Sequence, residues 1–227
     1  MHGHEPADLS AYDRLLHTND QIELWLAEGL HSRELIAYLG EAEFELLAPL
    51  ARAAARMTVD RRMRVFIVPG IMGTQLGHAR DAPWPANLLW IDPVDIVSGR
   101  LTDLRLSTES ALKPLGAITY TYLALKLRLN QAGCAVTLYE YDWRRDIGEL
   151  GRELALAIEA CDAQHVALVT HSMGGLLARA ALRSASARVQ RVITLGTPHL
   201  GTLAPVQALR GTYPTVRRLA ALDRLHS

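Results

Sequence analysis

The spacing of hydrophobic positions differs between two regions of the chain. Between residues 9 and 57, leucine and isoleucine recur at roughly helical spacing with glutamate and arginine between them, a pattern that predicts amphipathic helices. From Met63 onward, short apolar runs alternate with longer amphipathic stretches. We therefore interpret residues 1–60 as a helical N-terminal extension and residues 61–227 as the main domain.

The main domain shows the pattern of strands alternating with helices. Its apolar runs predict strands at Arg64–Val68, Ala135–Tyr141, His165–Thr170 and Arg191–Leu195. Its amphipathic stretches predict helices at Ile118–Gln131, Ile147–Ala160 and Met173–Ser184, and Gly211–Leu225 is typical of a helix or a lid segment. Such alternation predicts an α/β fold, with a mostly parallel sheet and flanking helices.

The segment from Val166 to Gly175 contains the most specific motif in the chain. An apolar strand runs directly into His-Ser-Met-Gly-Gly, with the serine at position 172, and a helix follows at once. A serine on such a turn projects from the carboxyl rim of the sheet, as in the Gly-x-Ser-x-Gly elbow of α/β hydrolases, although Thr170 replaces the first glycine here. The context predicts that Ser172 is a nucleophile; a serine that caps a helix is the alternative.

A second predicted strand ends in a glycine-rich turn, Pro-Gly-Ile-Met-Gly at residues 69–73. In the α/β-hydrolase fold, a backbone N–H from such a loop and the N–H of the residue after the nucleophile bind the developing oxyanion. The sequence thus predicts an oxyanion hole formed by the N–H groups of Ile71 and Met173. A plain Pro-Gly turn is the alternative.

Four motifs together resemble a known family. They are Pro-Gly-Ile-Met-Gly-Thr at 69–74, Tyr-Asp-Trp-Arg at 141–144, Thr-His-Ser-Met-Gly-Gly-Leu-Leu-Ala-Arg at 170–179 and Leu-Gly-Thr-Pro-His-Leu-Gly at 195–201. Their order resembles that in the lecithin:cholesterol acyltransferase-like α/β hydrolases, which belong to the lipase and acyltransferase superfamily. The resemblance implies hydrolysis or O-acyl transfer of a lipid-like ester through an acyl-Ser172 intermediate.

Residues near these motifs are candidates for a substrate pocket. Trp143 follows a predicted strand, and Trp84 and Trp90 follow the oxyanion loop, so all three are candidates for apolar walls of a lipid site. Packing residues are the alternative for the tryptophans. For the segment around Trp143, a structural ion pair between Asp142 and Arg144 is an alternative that we favour.

A serine nucleophile needs a base and an acid that orients the base, and in this fold both follow the serine along the chain. After Ser172 the sequence holds Asp223, His199 and His226, and no strand pattern follows residue 196. We therefore expect that the last two strands are missing, that the domain is incomplete at its C-terminus, and that the usual acid and base positions are absent.

The acid and the base consequently stay unknown at this point. His199 lies in a Thr-Pro-His-Leu-Gly stretch that is common in lipases, where it looks structural. An improvised arrangement would use Asp142 as the acid and His199 or His78 as the base. Two other functions remain open: an inactive fragment or pseudo-enzyme that serves as a lipid-binding or interaction module, and an esterase for small soluble esters.

Composition narrows the class of protein further. The chain has 24 basic and 24 acidic residues and thus no net charge, which argues against a nucleic-acid partner. The N-terminus has no apolar core like that of a signal peptide, and the apolar runs are too short to span a bilayer. We expect a cytoplasmic protein with a lipid or ester substrate, peripheral membrane contact at most, and no metal or organic cofactor. The oligomeric state is left open.

Overall fold

Helices and strands follow one another along the whole described chain, which in a computed structural model comprises residues 18–78, 87–107, 112–185 and 187–223. The helices are α1 (Asn19–Glu28), α2 (Ser32–Leu39), α3 (Glu41–Ala55), α4 (Pro93–Val97), α5 (Thr119–Gln131), α6 (Ile147–Ala160), α7 (Gly174–Ala185), α8 (Ala204–Leu209) and α9 (Pro214–Asp223). The strands are β1 (Asp60–Val68), β2 (Thr74–His78), β3 (Asn87–Trp90), β4 (Lys113–Ala117), β5 (Cys134–Leu138), β6 (His165–His171) and β7 (Val189–Leu195).

Four parallel strands form the main sheet in the order β5-β1-β6-β7. Phe66 of β1 is level with Thr137 of β5 on one side and with Leu168 of β6 on the other. Leu168 is in turn level with Val192 of β7. The carboxyl ends of β1 and β6 therefore meet at one rim of the sheet. This parallel sheet with flanking helices confirms the predicted α/β class, an α/β-hydrolase-like fold.

The predicted strand Ala135–Tyr141 is too long at its carboxyl end, because β5 ends at Leu138. Tyr139 still donates its N–H to Ile67 O at 2.9 Å. Tyr141 then turns inward and donates its hydroxyl to Pro69 O at 2.7 Å. The last aromatic residues of this segment are thus used to hold the loop after β1 instead of extending the sheet.

A small antiparallel sheet in the order β3-β2-β4 follows directly after that loop. Thr74 in β2 is level with Ala117 in β4, and Leu76 is level with Trp90 in β3. The sequence did not predict these strands, which have only four or five residues each. Strands this short give too few alternating positions for a period of two to be recognised.

Both faces of the main sheet are covered by helices. Phe66, Val68 and Leu168 pack against α6 and α7, in a core that includes Leu154 and Leu177. Val65, Ile67 and Val169 point to the opposite face and pack with residues of α5. This alternation follows from the period of two along a strand, and it accounts for the nearly continuous apolar runs of β1 and β6.

Residues 19–55 form three helices that share a hydrophobic core with α5. Leu26, Leu35 and Leu47 of these helices share one buried cluster with Leu123 and Leu127 of α5. Lys126 of α5 also forms ion pairs with two carboxylates of α1, those of Asp20 at 2.7 Å and Glu23 at 2.5 Å. The first part of the predicted N-terminal extension, up to residue 17, lies outside the described residues.

The outer strand β7 exposes apolar side chains, with Ile193 43% and Leu195 47% exposed. The segment predicted as a helix or lid, Gly211–Leu225, contains α9, while residues 224 and 225 lie outside the described residues. In the described ranges, every helix is too short or too polar to cross a bilayer.

Candidate active site

Ser172 lies on the sharp turn between β6 and α7. The strand ends at His171 and the helix begins at Gly174. The φ angle of Ser172 is +51°, in the left-handed region that side chains with a Cβ rarely adopt. Its N–H donates to Leu195 O at 2.8 Å, and its carbonyl accepts the N–H of Gly175 at 3.1 Å. The strand–turn–helix geometry expected of a nucleophile elbow is therefore present.

The two glycines after the serine allow the turn to sit against its neighbours. A Cβ on Gly174 would overlap the carbonyl oxygens of Val68 and Pro69, and a Cβ on Gly175 would overlap the side chain of Thr197. The start of α7 thus packs directly on the end of β1, which brings Ser172 next to the loop that follows β1.

That loop is a tight four-residue turn from Gly70 to Gly73, closed by a hydrogen bond of 3.0 Å from Gly73 N–H to Gly70 O. Met72, its third residue, has a φ angle of +62°, as a type II turn requires at this position. Ile71 at the tip is 53% exposed. A Cβ on Gly70 would lie 3.0 Å from Ser172 Cβ, so the turn and the serine are in close contact.

Three aromatic side chains hold carbonyl oxygens of this loop and of the residues on either side of it. Tyr141 Oη donates to Pro69 O at 2.7 Å. Trp90 Nε1 donates to Met72 O at 2.9 Å, and Trp143 Nε1 donates to Thr74 O at 3.0 Å. Trp90 and Trp143 also contact each other edge to face, with ring centroids 5.7 Å apart. The two tryptophans expected to form pocket walls therefore support the loop, and Trp90 is only 4% exposed. The third candidate, Trp84, lies outside the described residues.

Two backbone donors near Ser172 are free, one in the loop and one in the elbow. Within the described part of the chain, the N–H groups of Ile71 and Met173 have no protein acceptor. The neighbouring N–H groups of Gly70 and Gly73 are both used, by Tyr122 Oη and by Gly70 O. An oxyanion hole formed by Ile71 and Met173 is compatible with this distribution of hydrogen bonds.

A histidine and a tyrosine beside Ser172 form a pair that the sequence did not predict. Tyr122 Oη accepts the N–H of Gly70 at 3.0 Å and lies 3.0 Å from His171 Nδ1. Burial raises the pKa of the Tyr122 phenol, so the hydroxyl keeps its proton at neutral pH. The hydroxyl can donate this proton to Nδ1 or accept a proton from it, and the His171 tautomer decides which of the two occurs.

The carboxylate of Asp142 is occupied by an arginine two residues away. Its Oδ1 accepts from Arg144 Nε at 2.8 Å, and its Oδ2 accepts from a terminal nitrogen of the same guanidinium at 2.7 Å. Both side chains are buried. Burial alone would raise the pKa of Asp142, but the hydrogen bonds and charge of Arg144 outweigh it and lower this pKa. The structural ion pair that the sequence suggested is present.

We expect Asp142→Asn to destabilise the protein by about 3 kcal/mol at neutral pH, because a buried guanidinium loses its counter-charge. A carboxyl group with a lowered pKa stabilises the fold above its unfolded-state pKa of about 3.9 and loses this effect as the pH falls through its folded-state value. The difference between parent and variant should therefore shrink below about pH 4. Chemical unfolding at pH 7 and pH 3.5 measures it; an equal difference at both pH values would contradict the charged pairing.

Of the remaining candidates for acid and base, those among the described residues are not hydrogen-bonded to the serine. His78 is half-buried at the end of β2, and His199 is exposed in the turn after β7. Among the described residues, no histidine is hydrogen-bonded to the Ser172 hydroxyl. His226 and the side chain of Asp223 lie outside the described residues. Catalytic hydrogen bonds are often loose before substrate binds, so the identity of the base stays open.

An apolar cavity of about 180 Å³ opens beside the elbow. Its lining includes the apolar residues Ile67, Leu125 and Val169 together with Tyr122, His171 and Leu195. A larger cavity of about 550 Å³ lies between α1, α3 and β5. That larger cavity is lined by Asp20, Glu23, Arg61, Arg64 and Lys126 among others, and it contains none of the residues of the elbow or the oxyanion loop.

One protein family matches the chain by sequence. Its description is PGAP1-like alpha/beta domain, and the match covers residues 152–221, less than a third of the chain. This range contains β6, Ser172, α7 and β7. The match supports an α/β-hydrolase-like superfamily and a hydrolase-type enzyme, which is coarser than the resemblance to lecithin:cholesterol acyltransferase-like proteins. No curated protein and no solved structure matches the chain.

Proposed function

We propose that this α/β-hydrolase-like protein is a serine-dependent enzyme that hydrolyses an acyl ester or transfers its acyl group to an alcohol. The observation that supports this most directly is the strained backbone of Ser172, at φ +51°, next to a turn whose Ile71 N–H has no acceptor among the described residues. Backbone strain of about 1–3 kcal/mol is kept only where surrounding structure enforces it, and it is concentrated at functional sites.

The proposed reaction has two steps. Ser172 Oγ forms a bond to the ester carbonyl carbon while its proton passes to a base, and the negative carbonyl oxygen is bound by the N–H groups of Ile71 and Met173. The C–O bond to the alcohol then breaks, and the alcohol leaves with the proton. Water or a second alcohol attacks the acyl-Ser172 ester in the same manner and regenerates the serine.

A lipid-like ester is the substrate class that we favour. The cavity beside the elbow is apolar and has a volume of about 180 Å³. A water molecule occupies roughly 30 Å³, so the cavity holds about six substrate groups of that size. Peripheral contact with a membrane would bring such a substrate to the rim. Exposed Leu200, Leu203 and Leu209 follow Leu195, a lining residue of the cavity, along the chain and provide apolar surface.

A fluorophosphonate probe tests the proposal, because it phosphonylates only serines that are activated as nucleophiles. We expect one phosphonyl group per chain by intact mass, located on Ser172 by peptide mapping, and turnover of p-nitrophenyl esters. The variants His199→Ala and His78→Ala serve as controls for each other: loss of labelling in one alone would identify the base. No labelling of the folded parent chain at any probe concentration would reject the enzyme proposal.

A lipid-binding module without turnover is the second candidate. It is favoured by the observation that no histidine of the described residues is hydrogen-bonded to the Ser172 hydroxyl. A folded chain that fails to react with the probe but binds a fluorescent fatty acid, with weaker binding in Leu125→Trp, which fills the cavity, would support this function.

A further inference from the structure

The N-terminal helices contact the segment next to the oxyanion loop through one buried amide. Asn19, the first residue of α1, is 5% exposed. Its Oδ1 accepts the N–H of Ala117 at 2.8 Å, and its Nδ2 donates to Ala117 O at 2.9 Å and to Thr119 Oγ1 at 3.1 Å. Both hydrogens of the amide and its oxygen are therefore used, over a sequence separation of about a hundred residues.

The Asn19 side chain takes the place of a neighbouring strand at the end of β4. It binds both backbone groups of Ala117, as the next strand of a sheet would do. Gly116 permits this approach, since its φ angle is +148° and a Cβ there would lie 3.0 Å from Asn19 Oδ1. An apolar side chain at position 19 would leave a buried N–H and C=O of Ala117 without partners, which is costly.

The residues that Asn19 binds are the same ones that hold the oxyanion loop. Ala117 is level with Thr74 in the small sheet, and Ile118 donates its N–H to Gly73 O at 3.0 Å. Thr119 begins α5, which presents Tyr122 one turn later to accept Gly70 N–H. Asn19 thus braces the two supports that fix the ends of the Gly70–Gly73 turn.

We infer that Asn19 is a positioning residue for the oxyanion loop, so that this one residue of the N-terminal helices supports the candidate active site. The consequence for reactivity rests on the proposed function, since it requires that Ile71 N–H stabilises an oxyanion. Without the brace, Ile118 is no longer held and Gly73 O loses its donor. A displacement of the loop by about 1 Å would slow the reaction by on the order of 10²-fold.

The test compares Asn19→Leu with Ile22→Ala in the full chain. Ile22 lies on the same helix, is 1% exposed and packs in the cluster with Leu123 and Leu127, without a residue of β4. Each variant should lower Tm by on the order of 10 °C. At a temperature where both are folded, we expect fluorophosphonate labelling of Ser172 to slow at least about tenfold in Asn19→Leu and to be unchanged in Ile22→Ala.

Amide hydrogen exchange provides a second measurement that does not need a reactive serine. The amides of Gly73 and Ile118 should exchange faster in Asn19→Leu than in Ile22→Ala, because only the first variant releases β4. Equal exchange in the two variants would overturn the inference. Faster exchange together with an unreactive parent chain would reject the proposed function and retain the brace. Faster exchange with an unchanged labelling rate would reject the link to reactivity.

Discussion

Replacing Ser172 with alanine is expected to abolish both fluorophosphonate labelling and ester turnover. The variant keeps the Cβ and the turn, and it lacks only the oxygen that forms the acyl bond. Loss of a nucleophile of this kind lowers kcat by on the order of 10⁴-fold or more, so residual turnover should approach the background rate. Unreduced labelling in Ser172→Ala would show that another residue reacts with the probe.

A glycine variant at this position separates the effect of backbone strain on stability from the effect of the missing hydroxyl on reactivity. Ser172→Gly also lacks the hydroxyl, but glycine adopts φ +51° without the steric cost that a Cβ imposes there. We expect the glycine variant to be more stable than the alanine variant by about 1 kcal/mol, although both are unreactive. Urea unfolding measures the difference, and an alanine variant at least as stable as the glycine variant would show that the elbow is not strained.

Gly174→Ala is expected to destabilise the protein more than any other addition of a single methyl group to the elbow. The new Cβ would overlap two backbone oxygens, those of Val68 and Pro69, and neither can move without shifting the end of β1. Overpacking of this kind costs about 3 kcal/mol or more. The start of α7 should also move, carrying Met173 N–H with it, so labelling should slow even where the variant is folded.

Gly148→Ala is the matched control for this variant, since Gly148 is also in the first turn of a helix. A Cβ there would lie 3.0 Å from Asp146 Oδ1, which caps the helix by accepting Glu149 N–H, and it would meet no backbone atom. Alanine favours a helix over glycine by about 1 kcal/mol, which offsets this crowding, so the control should be about neutral. Comparable losses in both variants would mean that the close packing at Gly174 does not limit stability.

The elbow and the parallel strands could be predicted because their determinants are local. An apolar run, a serine and two glycines specify a strand, a turn and the start of a helix within ten residues. The glycine pair after Ser172 is explained by contacts that the sequence cannot show, with Pro69 on one side and Thr197 on the other. The pattern therefore identified the turn but not the reason for its glycines.

The support of the oxyanion loop could not be predicted, because it joins distant parts of the chain. In the sequence, Trp90, Tyr122 and Tyr141 cannot be distinguished from ordinary aromatic core residues. Only the fold shows that their polar atoms form hydrogen bonds with the loop and its flanking residue. The pair of Asn19 with Ala117 spans about a hundred residues in the same way. A buried side-chain amide leaves no periodic trace in a sequence, since a single position defines it.

The cluster shared by the N-terminal helices and α5 limits which helices from another protein could replace residues 18–55. Leu123 and Leu127 are fully buried, and their partners Leu26, Leu35 and Leu47 all precede residue 56. Each of these leucines contributes roughly 2 kcal/mol through burial. A gene fusion that exchanged residues 18–55 for unrelated helices would therefore leave bare leucines on α5, unless the donor segment brought a complementary surface. The unit that can be inherited intact includes both the helices and the face of α5 that they cover.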